Sequence, residues 1–256
     1  KSDVPIKDEL SSFILKDVNK ESLFNFLREM EFNRLLSQAI SFYGAPTTKT
    51  LDPATNFTKQ SKIDIKKYKS ILNEHDLNIL INNLNEKSVI SIDTETSSLN
   101  PQEAELIGIS VCYAPNISFY VPIGHKNTDC LKKDFILKKF KPILEDASIK
   151  KVGQNIKYDY IILKRNGIEL KSIEDTMLLS YTLDAGNNRH NMDTLSELHL
   201  GHKTISYKDV VGSGKKQLNF SDVSIDKATE YAAEDADVTL RLYDLLSERL
   251  QSEKLN

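Results

Sequence analysis

Two carboxylates stand two residues apart at the end of a stretch rich in β-branched residues. Residues 89 to 95, which end in Asp93-Thr94-Glu95, have the composition of a β-strand. Side chains two apart in a strand point to the same face, so Asp93 and Glu95 can share one cation. A loop follows, so we expect the pair at a sheet edge that substrate can reach. A solvated strand end is the alternative for this short motif taken alone.

A third carboxylate follows a short strand predicted at 150 to 153. In Gly153-Gln154-Asn155-Ile156-Lys157-Tyr158-Asp159 this strand gives way to a helix predicted over 155 to 165. Asn155 and Asp159 are four residues apart, which predicts that they lie on one helical face. The segment therefore adds a carboxylate near an amide, although Asp159 alone is also compatible with an ordinary surface position.

The last acidic segment lies in a helix predicted over 225 to 250. Helical spacing predicts one inward face that contains Tyr231, Asp235, Val238 and Leu242. A carboxylate that points inward is costly unless it binds a metal, meets a cation or is protonated. The alternative is that Glu234 and Asp237 mark the solvent face of the helix and that Asp235 only borders it.

Together the segments contain the patterns Asp-x-Glu, Asn-x3-Asp and Tyr-x3-Asp, and the combination is far more specific than any part. It resembles the three exonuclease motifs of the DEDD nuclease superfamily, and the tyrosine four residues before the last aspartate is similar to its DEDDy branch. The sequence around the motifs, including Arg189-His190-Asn191-Met192-Asp193, most closely resembles the proofreading domain of bacterial DNA polymerase I, over roughly residues 68 to 252. The fold implied by this resemblance is ribonuclease H-like.

The resemblance implies a metal-dependent 3′-5′ exonuclease that releases deoxynucleoside 5′-monophosphates from a single-stranded or frayed DNA 3′ end. Four clustered carboxylates stay ionised only beside cations, and oxygen ligands favour Mg²⁺, with Mn²⁺ as a substitute. By the family's pattern Asp93 bridges two Mg²⁺ ions, Glu95 and Asp235 complete the site of the water-activating ion, and Asp159 supports the second. Tyr231 orients the attacking water, because a phenol with a pKa of about 10 is a poor base at neutral pH.

The resemblance also implies contacts to the substrate. Leu99 and Tyr207 match family positions that wedge against the terminal bases, and Tyr207 stands where the family commonly has Phe. Further matching contacts are Thr96, Gln154, Asn155, Tyr158 and Arg189. For each of these residues an ordinary surface role is the alternative.

The elements that must position these residues predict an α/β fold. Strands over 105 to 113 and 117 to 123 flank the turn Ala114-Pro115-Asn116, as in an antiparallel hairpin. Helices are predicted over 76 to 85, 131 to 143, 155 to 165, 175 to 184, 192 to 199 and 225 to 250. A meander of strands that then alternates with helices predicts a mixed sheet flanked by helices.

Residues 1 to 64 are predicted to be an appendage to an exonuclease domain at 65 to 256. Asn19 is expected to cap one or two amphipathic helices over 19 to 41. Their predicted apolar stripe contains Leu23, Phe24, Leu27, Met30, Leu35, Leu36 and Ala39. Turn formers without periodicity predict a linker over 44 to 62. Residues 1 to about 45 resemble the tail of the 5′-nuclease domain in the same polymerases, so covalently linked 5′-nuclease and polymerase domains are the expected partners.

Composition excludes few classes of protein. With 39% hydrophobic and 28% charged residues the chain can bury a core, and its net charge of -3 neither supports nor excludes DNA binding. No apolar stretch approaches the roughly 18 residues of a membrane span, and no signal segment is present. The two cysteines, Cys112 and Cys130, lack metal or disulfide spacing. These features predict a cytoplasmic protein without a membrane partner, and the resemblance implies that it is bacterial. Lys1 in place of Met predicts a piece of a longer polypeptide.

Two other functions remain open from the sequence. One is a catalytically silent module that only positions a polymerase domain, but all four carboxylates are present. The other is an RNA-trimming exonuclease of the same superfamily, because metal chemistry at the phosphate does not distinguish the sugar. The apparent 5′-nuclease tail favours DNA.

Overall fold

A mixed β-sheet forms the framework of the larger part of the chain. The computed structural model describes residues 17–30, 32–44, 61–214 and 217–255. Within these ranges the sheet has six strands: β1 (Lys69–Ser70), β2 (Val89–Thr96), β3 (Leu106–Ala114), β4 (Ile117–Pro122), β5 (Lys150–Gly153) and β6 (Ile173–Asp175). Their order is β1-β4-β3-β2-β5-β6. β3 is antiparallel to β2 and β4, and the other pairs are parallel, so the predicted mixed sheet is confirmed.

Helices pack on both faces of this sheet. In chain order the described helices are α1 (Lys20–Glu29), α2 (Asn33–Tyr43), α3 (Glu74–Asn85), α4 (Lys133–Leu144), α5 (Lys157–Arg165), α6 (Thr176–Asp184), α7 (Met192–Leu195), α8 (Tyr207–Val211) and α9 (Ile225–Ser252). One face carries the largest core cluster, with side chains from α3, α4 and α5. α9 crosses the other face and contacts five of the six strands. None of the described helices is both long and apolar enough to cross a membrane.

The alternation of β2 between the two faces directs the acidic pair. Ile90 and Ile92 are buried in the largest core cluster, whereas the Ser91 hydroxyl donates to the Ala236 carbonyl of α9 at 2.6 Å. Because side chains two apart share a face, Asp93 and Glu95 follow Ser91 toward α9. The two carboxylates therefore share one face of the sheet, as predicted, and this is the face that α9 covers.

α9 lies close to the sheet because its inner face is built from small residues. Ala228, Ala232, Ala233 and Ala236 are fully buried, and alanine combines the highest helix propensity with the smallest side chain beyond glycine. Glu234 and Asp237 are buried as well, so the alternative in which they mark the solvent face is wrong. Asp237 forms an ion pair of 2.9 Å with Arg241 and accepts the Tyr68 hydroxyl at 2.8 Å.

Short elements account for most differences from the prediction. β1, β6 and α8 were not predicted, because two or three residues of strand, or five of helix, carry too little periodicity to detect. The predicted helix at 192 to 199 divides into α7 and a π-helical turn, Ser196–Leu200. The other predicted elements are confirmed within two residues at each end. Cys112 and Cys130 are free thiols.

The first helices belong to a separate compact unit. The chain divides into Lys1–Asn56 and Phe57–Asn256, and the Asn19 side chain caps α1 by accepting the Ser22 amide at 3.0 Å. Phe24 and Leu27 are buried, but Met30 and Leu35 of the predicted stripe are about half exposed, at 49% and 50%. Both helices are amphipathic as predicted, and the apolar stripe is only partly buried among the described residues. Most of the predicted linker, 45 to 60, lies outside the described residues.

Gly108 gives the first test of how the sheet supports the acidic pair. It pairs with Glu95 across β2 and β3, and a Cβ there would overlap the fully buried Tyr120 ring. We expect Gly108→Ala to lower the free energy of unfolding by about 1 to 3 kcal/mol, the usual cost of overpacking, as measured by urea titration. In the control Gly124→Ala the nearest atom is the flexible end of Ile107 at 3.1 Å, and the loss should be smaller. Equal losses would contradict this account.

Candidate metal centre and substrate site

Three of the predicted carboxylates meet between the sheet and α9. Asp93 and Glu95 extend from β2, and Asp235 extends from the middle of α9. Each offers a carboxylate oxygen, and the three oxygens lie within 4.8 Å of one another. Glu95 and Asp235 are buried, while Asp93 is partly exposed. Two distant segments thus supply a cluster that is open on the Asp93 side.

Asp159 adjoins this cluster through the backbone of β2. It lies in the first turn of α5 and is buried. Its Oδ1 accepts the Thr94 amide at 2.9 Å and the Thr94 hydroxyl at 2.5 Å. Because Thr94 stands between Asp93 and Glu95, these bonds fix the fourth carboxylate beside the other three.

The surroundings of the four carboxyl groups disfavour their charged form. Burial raises the pKa of all four carboxyl groups, that of Asp93 to about 6. The Asp93 charge raises the pKa of the other three further. Among the described residues no lysine or arginine forms a salt bridge with any of them. Without cations to neutralise their repulsion, the four carboxyl groups are not all ionised at neutral pH.

The donor set suits a hard divalent cation. All four side chains offer oxygen, the ligand atom that Mg²⁺ and Mn²⁺ prefer. The Oε1 atom of Glu95 is buried and has no hydrogen-bond partner in the described part of the chain. A buried oxygen without a hydrogen-bond partner needs an explanation. A role as a metal ligand supplies one, and it also fits the charge of the site.

Tyr231 lies one helical turn before Asp235, on the face predicted for it. Burial, followed by the charges of Asp235 and Glu95, raises the pKa of its phenol far above the ordinary value. The hydroxyl in turn lowers the pKa of Asp235 by hydrogen bonding, although burial outweighs this effect. Tyr231 is therefore a neutral hydroxyl at the edge of the carboxylate cluster.

Aromatic rings extend the site toward solvent. The Tyr207 ring lies 6.0 Å from the Tyr231 ring and is stacked on Phe220, with centroids 6.3 Å apart and planes 9° apart. Tyr207 is 41% exposed and Phe220 is buried, so Tyr207 keeps part of its surface open. Phe220 was not predicted from the sequence, because its only signal is a lone aromatic residue after a polar loop.

The loop after β2 is held by α5 and by the residue before Phe220, since Asn219 donates to the Ser97 carbonyl at 3.3 Å. The Thr96 hydroxyl and the Tyr158 hydroxyl are 2.5 Å apart, and Tyr158 also donates to the Ser98 carbonyl. Leu99 follows with its side chain 95% exposed. An apolar side chain held this far into solvent, near the carboxylates, is available to contact a ligand.

The remaining predicted contacts are less directly connected to the carboxylates. Gln154 donates to the His190 carbonyl at 2.7 Å, and Arg189 is exposed. Asn155 has a left-handed φ of 56° and precedes α5. The prediction that Asn155 and Asp159 share a helical face was therefore wrong. Asp175 accounts for the difference, because its carboxylate accepts the Asn155 amide at 2.9 Å and so binds this turn in a non-helical conformation.

Comparisons with known proteins identify similar domains. A family model described as 3′-5′ exonuclease matches residues 68–251. DNA polymerase I of Rhizobium leguminosarum is 49% identical over 182 residues, which are 63% of this chain and 18% of that protein. DNA polymerase I of Pseudomonas aeruginosa is 35% identical over 259 residues, 98% of this chain and 28% of that protein. The chain thus spans less than a third of the length of these relatives.

A solved structure supports the fold assignment. Brucella melitensis NrnC with bound Mg²⁺ has a TM-score of 0.52 and 21% sequence identity, covering 73% of this chain and 82% of that one. With the observed mixed sheet and flanking helices, this similarity confirms the predicted ribonuclease H-like architecture.

Proposed function

Because the chain belongs to the 3′-5′ exonuclease family of DNA polymerase I, we propose that it removes nucleotides one at a time from a DNA 3′ end, as a proofreading domain. One observation carries this proposal. Carboxylate oxygens of Asp93, Glu95 and Asp235 lie within 4.8 Å of one another, with Asp159 fixed beside them through Thr94. An intact acidic cluster also argues against a catalytically silent module.

The proposed cofactor is a pair of Mg²⁺ ions, for which Mn²⁺ would substitute. Asp93, Glu95 and Asp235 would hold one ion, and Asp93 with Asp159 would hold the second. When bound, such a pair activates a water on one side of a phosphodiester and stabilises the leaving 3′-oxygen on the other. The orphaned Glu95 oxygen supports this assignment, as does the Mg²⁺ bound in the Brucella melitensis NrnC structure.

Tyr231 would orient the attacking water. Its phenol stays protonated at neutral pH, so it can donate or accept a hydrogen bond but cannot act as a base. We expect Tyr231→Phe to slow hydrolysis by about tenfold to a hundredfold, the worth of a hydrogen bond within a charged site, with unchanged thermal stability. The control Tyr243→Phe, on the same helix as Tyr231, loses a hydrogen bond that Tyr243 accepts from Lys150 of β5 and should keep full activity. Equal rates in the two variants would contradict the role of Tyr231.

The Tyr207 ring and the Leu99 side chain would contact the terminal bases of the substrate, because single strands expose base faces that such side chains grip. Thr96 and Tyr158 join the loop of Leu99 to α5 and would keep it in place. Gln154, Asn155 and Arg189 would serve as further contacts to the strand.

A direct assay tests the proposal. A single strand labelled at its 5′ end is incubated with the protein and Mg²⁺, and the products are resolved by length. We expect a ladder that shortens one nucleotide at a time and depends on the metal. Binding of DNA without metal-dependent cleavage, in a folded sample, would instead favour the silent module. A matched RNA strand in the same assay tests the sugar preference, since faster trimming of RNA would overturn DNA as the substrate.

The relatives also support a proposal about the other domains of the full-length protein. They are more than three times as long as this chain, so we propose covalently linked polymerase and 5′-nuclease domains, with residues 1 to 64 as the tail of the latter and 65 to 256 as the exonuclease domain. Action on bacterial chromosomal DNA would take place in the cytoplasm, at the nucleoid.

A further inference from the structure

A buried glutamate next to a proposed metal ligand has no part in the mechanism above. Glu234 precedes Asp235 in α9, and its side chain is fully buried. Its Oε1 lies 2.8 Å from His202 Nε2, and its Oε2 accepts the Ile205 amide at 2.6 Å. Both oxygens of this carboxylate therefore hold the segment 201–206 against α9.

The same segment is also held from its other side. The Ser196 hydroxyl donates to the His202 carbonyl at 2.8 Å, and the Thr204 hydroxyl donates to Asp193 at 2.7 Å. Contacts on two sides leave the 201–206 segment little freedom to shift. Its polar groups are satisfied by side chains because it has no regular secondary structure of its own.

The 201–206 segment ends where Tyr207 begins. Tyr207 is the first residue of α8, two residues after the amide that Glu234 accepts. Its ring packs against Phe220 and Tyr231. Since Glu234, Tyr231 and Asp235 all belong to α9, the bond to Ile205 ties the segment that leads into Tyr207 to the helix that carries Asp235.

A carboxylate at this position carries an electrostatic cost. The Glu234 charge raises the pKa of Asp235 further, and so adds to the repulsion within the metal site. An apolar side chain would avoid that cost. A carboxylate offers one acceptor oxygen to His202 and one to the Ile205 amide, and its charge strengthens both bonds, which accounts for a glutamate here.

We propose that Glu234 is a positioning residue for the terminal base, acting through the 201–206 segment to hold the Tyr207 ring at a fixed distance from the metal ligands. The inference rests on the proposed function, in which Tyr207 contacts the 3′-terminal base. Glu234 itself touches neither substrate nor metal.

Binding of a fluorescent strand tests this role. The probe is a single-stranded oligodeoxynucleotide with 2-aminopurine at its 3′ end, titrated in Ca²⁺ in place of Mg²⁺, because stacking on an aromatic ring quenches 2-aminopurine. We expect Glu234→Gln to weaken binding by about tenfold, the order for one lost base-stacking contact, and to reduce the quench. The exposed neighbour in the control Glu230→Gln should leave both unchanged.

A double variant separates positioning from a direct effect on the metal. If Glu234 acts through Tyr207, Glu234→Gln has no further effect in a Tyr207→Ala background. The same loss in both backgrounds, or no loss in either, would overturn the inference. Should Glu234→Gln fail to unfold cooperatively, His202→Ala removes one of the two contacts and should give a smaller loss with the same dependence on Tyr207.

The wild-type protein distinguishes the two proposals. A wild type that neither binds nor quenches the probe overturns the positioning role and the proposed function together. A wild type that binds, quenches and trims DNA in Mg²⁺, beside an unaffected Glu234→Gln, overturns the positioning role alone.

Discussion

Asp235→Asn should abolish hydrolysis of a DNA strand while leaving the protein folded. The substitution keeps the size of the side chain but removes one of the three charges whose oxygens lie within 4.8 Å of one another. A metal contributes several kcal/mol to stabilising a transition state, and a loss of about 4 kcal/mol slows the reaction about a thousandfold. We expect at least this loss in single-turnover assays with saturating Mg²⁺.

Two further measurements show whether the loss arises at the metal site. Asp226→Asn changes an exposed aspartate of the same helix and should keep wild-type activity. Calorimetric titration with Mn²⁺ should show weaker binding to the Asp235→Asn variant. An Asp235→Asn protein that is folded, active and undiminished in Mn²⁺ binding would exclude the proposed mechanism.

The metal-free protein should become less stable as pH rises from about 4 to 6. The pKa of Asp93 is raised to about 6 in the folded state, against about 3.9 for an unperturbed aspartate. Between these values the folded chain binds more protons than the unfolded chain, so its free energy of unfolding falls with increasing pH. A shift of about 2 units corresponds to roughly 3 kcal/mol. Glu95, Asp159 and Asp235 act in the same direction.

Divalent cations should reverse this dependence. At neutral pH they bind the ionised cluster, and a ligand at a hundred times its Kd stabilises the fold by about 2.7 kcal/mol. That stabilisation raises the unfolding midpoint of a protein of this size by about 5 to 10 °C. Thermal unfolding at pH 4.5, 5.5 and 7.5, in EDTA or in saturating Mn²⁺, measures both effects.

A variant isolates the carboxylate cluster from other titrating groups. The combination of Asp93→Asn with Asp235→Asn should be more stable than the wild type in EDTA at pH 7.5, and should gain little from Mn²⁺. Other carboxyl groups, such as Glu145, have a lowered pKa and oppose the trend, but they are common to both proteins. A wild type that is more stable at pH 7.5 than at 5.5 in EDTA, by the same margin as this variant, would contradict the assignment.

Local rules were sufficient where the relevant partner was close in sequence. The alternation of a strand predicted that Asp93 and Glu95 share a face, and helical spacing predicted that Tyr231 and Asp235 point inward. Both predictions are confirmed, because period and hydrophobic pattern are properties of the chain itself. The order of strands and helices was likewise enough to predict a mixed sheet.

The surroundings of three residues could not be predicted from the sequence, because their partners lie elsewhere in the chain: Asn155, Glu234 and Phe220. Asp175 binds the Asn155 amide from β6, and the 201–206 segment supplies the partners that make burial of Glu234 possible. A sequence pattern assigns a polar residue to the solvent-exposed surface. Its burial is favourable only when hydrogen-bond donors from other segments of the chain contact it.

Local periodicity was enough to place Asp93, Glu95 and Asp235 on the inner faces of their own elements. It could not show that β2 and α9 approach closely enough to bring three carboxylate oxygens within 4.8 Å, which is a property of the folded chain. Small buried alanines and the bond from Ser91 to Ala236 set that approach. The physical reason is that mutual repulsion among the carboxylates opposes their assembly, so packing elsewhere in the fold must hold them together.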